Sequence, residues 1–358
     1  MDPSTLNDEI ESRRLTVFYH GGCPDGITGA WAIYEALPQS IQAQLTALGG
    51  FFGPKGYPPI PPLDQLAQAG AVFHGMAHAD PFPPAPLVEG RHVVYVDIAP
   101  PEKHADHLAA TAASLTILDH HRGSREAIEA LRIAALARGA PFDAVYTEEL
   151  AGAQIAWDWA QRGIPRPEVV DYVADRDLWT WRLVGSRAVN KALFVDGHTA
   201  GVGPLAALHR GGSPRGVLPE GLAPRGADYL AYERILLGRL TAGAYRAMAA
   251  ALLPGEAEAR EYCVLVVNSP ILQSELGEAL MEGAGPEIHF AIIWSLAKSR
   301  DEIWASARTT RPDVDLSVII PHLVGGLGGG GHPRAAGFAV AGDSLGAAVR
   351  RLDASGSM

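Results

Sequence analysis

The sequence predicts an α/β protein with a parallel-sheet N-terminal domain and a smaller C-terminal α/β domain. Two observations carry this. Short apolar runs alternate with segments of helical period, the signature of strands joined by crossover helices. That alternation breaks at a Gly- and Pro-rich stretch, Val195 to Gly226, and then resumes. At 358 residues and 47% hydrophobic content the chain is long enough for two cores.

The N-terminal elements follow in order. Thr16–Tyr19 reads as a strand, His20 to Gly26 as a turn, and Ile27, Ala30, Trp31, Tyr34 and Leu37 as one face of a helix. His92–Val96 is a strand ending at Asp97, and Glu102–Ala112 a helix. Leu115–Leu118 is a strand ending at Asp119. Ser124–Arg138 is helical, Ala144–Tyr146 a short strand, and Leu150–Gln161 a helix. Sequential strands with helical crossovers give a mainly parallel sheet with both faces covered.

Further on, Val195 to Gly226 reads as a linker or irregular insertion, and Asp228–Leu253 as a helix. The second unit has expected strands at Tyr262–Val267, His289–Ser295 and Ile303–Arg308. Its expected helices lie near Ser274–Met281, Leu316–Leu323 and Ser344–Leu352. The resulting domains are 1–190, a linker and connecting helix at 191–257, and 258–353. There is no internal repeat.

Composition excludes several classes. A net charge of −11 argues against a protein that coats long nucleic acid, and leaves room for a local arginine cluster. Two cysteines, Cys23 and Cys263, form neither a disulfide framework nor a zinc ribbon, so a cytoplasmic setting is expected. The polar N-terminus does not read as a signal peptide, and no apolar run reaches membrane-spanning length.

Two clusters carry chemistry. His20, Asp25, Asp97, Asp119, His120 and His121 fall at or just beyond the C-terminal ends of three expected strands. In open α/β sheets ligands bind at that edge. Imidazole with carboxylate suits Mn²⁺ or Mg²⁺-like ions, with Zn²⁺ an alternative. Two such ions about 3.5–4 Å apart can share a carboxylate and stabilise both oxygens of an in-line phosphoryl displacement. The second cluster is the glycine run ending in His332 and Arg334. Glycine gives up the most backbone entropy on ordering, so the run reads as a loop whose bare N–H groups approach an anion.

Other residues read more plainly. His74, His78 and Asp80 have ligand-like spacing but sit beside a Pro-rich loop. Cys23 reads as a small buried residue in the first turn. Trp157, Trp159, Trp179 and Trp181 read as packing residues, with Trp179 near enough to Asp175 to line a site.

These residues resemble the DHH phosphoesterase superfamily with its C-terminal DHH-associated domain. His20 with Pro24-Asp25-Gly26 looks like the first motif, Asp97 the second, and Asp119-His120-His121 the naming motif. Asp175 in Ala174-Asp175-Arg176-Asp177 looks like the fourth, and Gly329-Gly330-Gly331-His332 with Ala335-Ala336-Gly337 the second domain's signature. The resemblance covers roughly residues 16 to 350. It implies an active site in a cleft between the two domains, with catalytic manganese in the first and the nucleotide or phosphate end of the substrate on the second. The implied metal ligands are His20, Asp25, Asp97, Asp119, His120 and Asp175, for one or two Mn²⁺ with Mg²⁺ as the alternative. His120, His121 and Asp97 are the expected catalytic residues. Arg308, Gly329, Gly330, Gly331, His332 and Arg334 are the expected substrate contacts.

The implied activity is hydrolysis of phosphodiester or phosphomonoester bonds in short oligonucleotides or nucleotides, as in 3′-5′ exonucleases and oligoribonucleases. Alternatives are a cyclic-dinucleotide phosphodiesterase, a 3′-phosphoadenosine 5′-phosphate phosphatase, and a non-catalytic nucleotide sensor. No membrane partner is expected, and a homodimer is compatible with this reading. One position departs from the pattern. Many members carry a second aspartate where this chain has Ile27, leaving Thr28 or Asp177 as substitutes.

Overall fold

The computed structural model describes residues 14–47, 51–52, 65, 69–77, 80–211, 219–296, 302–326, 328–341, 345–347 and 349–351. The chain divides into two compact units, residues 1–230 and 231–358.

The first unit is built on a six-stranded sheet in the order β2-β3-β1-β4-β5-β6. The strands are β1 (Leu15–His20), β2 (Phe51–Phe52), β3 (Ala71–Met76), β4 (His92–Val96), β5 (Ser114–Asp119) and β6 (Phe142–Tyr146). Every pairing is parallel. Alternate residues point to opposite faces, and both faces are buried. Val17 and Tyr19 of β1, with Val94 and Val96 of β4, join one core. Phe18, Val93 and Tyr95 join the other, with Leu115 and Ile117 of β5.

Helices cover both faces. α1 (Pro24–Ala36) and α2 (Gln39–Ala47) follow β1, α3 (Ala105–Thr111) follows β4, and α4 (Arg125–Arg138) follows β5. After β6 come α5 (Gly152–Ala160), α6 (Glu168–Asp177), α7 (Ser186–Val195), α8 (Val202–Gly211) and α9 (Pro219–Thr241). Leu108 of α3 and Leu131 of α4 pack in the second core. Trp31 of α1, Trp157 of α5 and Val173 of α6 pack in the first. The order of strands explains where a site can form. The chain runs from β1 to β3 on one side, then crosses to β4 on the other, so the C-terminal ends of β1 and β4 flank a topological switch point.

Several expectations change here. Val195 to Gly226, expected to be irregular, contributes α8 and the start of α9 among its described residues. Val202, Leu205, Ala206 and Leu222 are buried in the first core, so packing overrides the Gly and Pro content. The expected helix Asp228–Leu253 ends at Thr241, and Tyr245–Ala251 is strand β7. Alanine favours helix intrinsically, but Ala247, Ala249 and Ala251 are buried at a spacing of two, the strand period. β3 has no counterpart among the expected strands, because its His74 and Gly75 interrupt the apolar run.

The second unit holds a seven-stranded sheet in the order β11-β12-β10-β9-β8-β7-β13. Its strands after β7 are β8 (Arg260–Asn268), β9 (Phe290–Leu296), β10 (Glu302–Arg308), β11 (Gly329–His332), β12 (Ala335–Ala341) and β13 (Val349–Arg351). β8 and β9 are parallel, joined across α10 (Gln273–Glu282), and the other pairs are antiparallel. α11 (Leu316–Ile319) packs on the opposite face from α10. In place of a helix over Ser344–Leu352, the described residues form a short turn at Leu345–Ala347 and the edge strand β13.

The glycine run is not a loop along its whole length. Gly329–His332 is an edge strand paired with β12. A Cβ on Gly329 would lie 2.4 Å from the Gly337 carbonyl oxygen, and one on Gly331 2.4 Å from that of Ala335. Gly331 also has φ +148°, which disfavours an L side chain. The close pairing therefore requires glycine. Leu327 of the run lies outside the described residues.

Candidate metal centre

In the first unit, the strand ends bring together side chains from five segments. His20 ends β1, Asp25 sits in the first turn of α1, and Asp97 immediately follows β4. Asp119 ends β5, and His120 and His121 follow it. Asp177 ends α6. Asp25, Asp97, Asp119 and His120 are all buried to 2% exposure or less.

Asp97 is the hub. Its Oδ2 lies 3.3 Å from His20 Nδ1, and its Oδ1 lies 3.2 Å from His120 Nε2 and 3.6 Å from His121 Nδ1. His120 Nε2 also lies 3.4 Å from Asp177 Oδ2 and 3.9 Å from Asp25 Oδ2. Three donor groups made wholly of first-unit residues fall within 4.8 Å spreads: His20, Cys23 and Asp97; Asp97, Asp119 and His121; and Asp25, His120 and Asp177. Asp97 belongs to two of them, as a carboxylate shared by two cations would.

The backbone is strained at this hub. Asp97 has φ 59°, in the left-handed region that few non-glycine residues adopt. Such strain persists where its surroundings over-determine it, typically at a functional site. Gly152, the first residue of α5, makes room for the carboxylates. A Cβ there would meet Asp25 Oδ2 and Asp97 Cβ, each at 2.8 Å. The start of α5 also holds Asp25, because Ala153 N–H donates to Asp25 Oδ1 at 3.0 Å.

The donor set fits a cation. Asp25 Oδ2, Asp97 Oδ2 and Asp177 Oδ2 are buried and accept no hydrogen bond. Buried charged oxygens left this way cost free energy unless a positive charge meets them. The titration behaviour agrees. Burial, then the neighbouring Asp97 and Asp177 charges, push Asp25 well above the usual carboxylate range. Burial and Asp97 likewise raise Asp177. Burial opposes ionisation of Asp97 too, but the neighbouring imidazoles of His120, His20 and His121 outweigh it and hold Asp97 well below that range. Burial would lower His120, yet Asp97, Asp177 and Asp25 raise it to about 10. Cys23 is pushed well up by burial and then by Asp97.

Asp119 has a different local role. Its Oδ1 accepts from the backbone N–H of His120 at 2.7 Å and of His121 at 3.1 Å, and lies 2.8 Å from His121 Nδ1. Ser124 Oγ donates to its Oδ2 at 2.5 Å. Asp119 thus sets the turn and the ring orientation of His121, as carboxylates behind metal-binding imidazoles do.

The structure does not bring Asp175 to the cluster. Its carboxylate accepts from Thr180 Oγ1 at 2.5 Å, Arg182 N–H at 2.8 Å and Leu183 N–H at 3.0 Å. It ties down the loop after α6. Residues two apart on a helix do not share a face, and Asp177 is the one that reaches His120. Ile27 is buried in the apolar core and offers no ligand. Of the two substitutes considered for it, Thr28 has a buried hydroxyl without a hydrogen-bond partner, and Asp177 joins a donor group.

Opposite results are expected from the two aspartates. Asp177→Ala should weaken divalent-metal binding about tenfold or more, a loss that supporting residues of metal sites already produce. Asp175→Ala should instead cost about 1–3 kcal/mol of stability by freeing its loop. Calorimetric titration and thermal unfolding separate them, and the reverse pattern would return the metal role to Asp175.

In the second unit, Arg308 and His332 fall on one sheet row. Arg308 pairs with Ala335, and Ala335 pairs with His332. Paired residues on neighbouring strands point to the same face, so Arg308 and His332 share one. Arg308 is held by hydroxyl and carbonyl oxygens: Nη1 donates to Ser306 Oγ at 2.6 Å and Ala307 O at 2.8 Å, and Nη2 to Ser274 Oγ at 2.9 Å. Thr309 N–H donates to Arg334 O at 3.0 Å, fixing the turn that carries Pro333 and the exposed Arg334 beside the end of β10. Gly330 has open space where a Cβ would lie.

Residues 262–355 match the family model of the DHHA1 domain. The chain therefore carries a DHHA1 domain over those residues. An uncharacterized protein of Acanthamoeba polyphaga mimivirus is 24% identical over 231 residues, covering 63% of this chain and 48% of that protein. The chain thus spans about half the length of that curated relative. Among solved structures, a DHH domain described as a member of the s1p family of ribosomal proteins has TM-score 0.49 at 15% identity, covering 94% of this chain and 85% of the other. The exonuclease RecJ bound to manganese has TM-score 0.43 at 16% identity, covering 94% and 89%.

In this candidate centre, Cys23, Asp177 and Gly152 are the residues that the sequence alone undervalues. Cys23 reads there as packing, and Asp177 only as a stand-in for the residue at 27. Gly152 has a faint signal, a run of small residues opening a helix. His74 is not in any donor group among the described residues, and His78 lies outside them.

No described helix is long and apolar enough to cross a membrane.

Proposed function

We propose that this chain is a metal-dependent phosphoesterase that hydrolyses phosphodiester or phosphomonoester bonds in short oligonucleotides or nucleotides, with Mn²⁺ as the preferred ion and Mg²⁺ as the alternative. One observation carries the reading: the buried Asp97 carboxylate is common to two donor groups, one with His20 and Cys23 and one with Asp119 and His121, and one of its oxygens accepts no hydrogen bond. A divalent ion bound there would polarise a phosphoryl oxygen and lower the pKa of a water. His20, Asp25, Asp97, His120, His121 and Asp177 are the residues that would hold the ions, with Asp119 orienting His121. The second unit is proposed to grip a substrate phosphate through Arg308, His332, Arg334 and the backbone of Gly329, Gly330 and Gly331. Arg308 is already oriented by its hydroxyl partners, so little freedom is lost on binding.

Net charge of −11 favours small substrates, since a long polyanion gains nothing from an acidic surface. The test is hydrolysis of bis-p-nitrophenyl phosphate, then of short RNA and DNA oligomers, cyclic dinucleotides and 3′-phosphoadenosine 5′-phosphate, each with Mn²⁺ and with Mg²⁺. Turnover should vanish on chelation and return with metal. Full turnover after thorough chelation, or none on any ester with metal bound, would overturn the reading, the second outcome in favour of a sensor. With the preferred substrate, Arg308→Ala and His332→Ala should lower kcat/KM roughly ten- to a hundredfold, the scale of one lost charged hydrogen bond. The metal content should not change. Loss of metal in either variant would reassign that residue.

A further inference from the structure

Cys23 stands where a packing residue is expected, but its surroundings are those of a ligand. Its thiol belongs to a donor group with His20 and Asp97 whose atoms lie within 4.8 Å of one another. Donors bound at about 2.0–2.3 Å from one ion are at most about 4.6 Å apart, so small side-chain shifts suffice. Asp97 Oδ2 is fully buried and accepts no hydrogen bond. Cys23 caps the start of α1, yet its side chain makes no capping hydrogen bond. One helical turn on, Ile27 N–H donates to Cys23 O at 3.0 Å, while the Ile27 side chain is sunk in the core. The apolar residue at 27 removes a potential oxygen ligand from this end of the helix, and the thiol lies one turn away.

We propose that the Cys23 thiolate is a ligand of the cation held by His20 and Asp97, making one position of the centre a nitrogen–sulfur–oxygen site for a softer divalent ion than manganese. This rests on the metal-centre reading above. Binding releases the thiol proton to solvent, because a coordinating cation deprotonates a thiol outright. No oxidation is involved. Thiolate and imidazole favour Zn²⁺, Co²⁺ or Fe²⁺ over Mg²⁺ and Mn²⁺, whereas the Asp97, Asp119 and His121 group contains no sulfur. The centre would then hold two unlike positions.

The experiment uses the full chain and cobalt(II) as the probe. Cobalt should give visible d–d bands together with a near-ultraviolet thiolate-to-cobalt charge-transfer band. The charge-transfer band should persist in Cys263→Ser and disappear in Cys23→Ser and Cys23→Ala, with the d–d bands retained. The preference for Zn²⁺ over Mn²⁺ should fall about tenfold or more in the Cys23 variants, the scale on which metal-site partners act. If those variants do not fold, Cys263→Ser leaves Cys23 as the sole thiol, and Zn²⁺ should slow its alkylation at least about tenfold by the same measure. Cobalt d–d bands without a Cys23-dependent charge-transfer band, or alkylation unaffected by bound Zn²⁺, would overturn this inference and leave the metal centre standing. Failure of cobalt, zinc and manganese to bind at all would overturn both.

Discussion

Asp97→Asn should abolish most metal-dependent hydrolysis while leaving the fold intact. Asn tolerates the left-handed conformation better than other non-glycine residues, so the φ of 59° at this position is kept. Only the charge at the hub is lost. Removal of one preorganised electrostatic group typically costs a hundred- to a thousandfold in turnover. A hundredfold loss corresponds to about 2.7 kcal/mol of transition-state stabilisation. Because Asp97 belongs to two donor groups, bound metal should fall at both positions. The checks are kcat on a generic diester and metal content by elemental analysis. A variant that kept both would show the site to be elsewhere.

Gly152→Ala is the second large effect, and its sign is informative. Alanine is the better helix former by about 1 kcal/mol, so in open space the change would stabilise α5. Here the new methyl would sit 2.8 Å from Asp97 Cβ, close to the main chain, and 2.8 Å from Asp25 Oδ2. Overpacking of this kind costs about 1–3 kcal/mol, and a domain of this size loses about 2–4 °C in Tm per kcal/mol. We expect a lower Tm together with weaker metal binding, since both carboxylates must move. A rise in Tm with unchanged affinity would remove Gly152 from the site.

The architecture of the first unit is legible in the sequence because its central strands are short, apolar and separated by clear helical periods. His20, Asp97 and Asp119 can be placed from the residue pattern itself, since strand termini fix where side chains emerge. What depends on helix rotation is not legible. Asp175 and Asp177 are two positions apart, and nothing in their spacing says which one faces the cluster. The alanine-rich strand β7 misleads in a similar way, because intrinsic helix preference is weaker than the burial pattern imposed by a sheet. Cys23 is underrated because a single thiol has no spacing to read.

The glycine strand β11 lies at the outer edge of its sheet. An unpaired edge is an invitation to strand addition by other chains, and proteins commonly discourage it with charge, proline or a bulge. Here the deterrent is entropy. A sequence of Gly329, Gly330 and Gly331 offers an incoming strand no side chains to pack against, and costs the most backbone freedom to hold straight. That composition makes the edge a poor template for self-association. If the same glycines take the substrate phosphate as proposed, one stretch of residues would serve both ligand access and resistance to aggregation, without a dedicated gatekeeper.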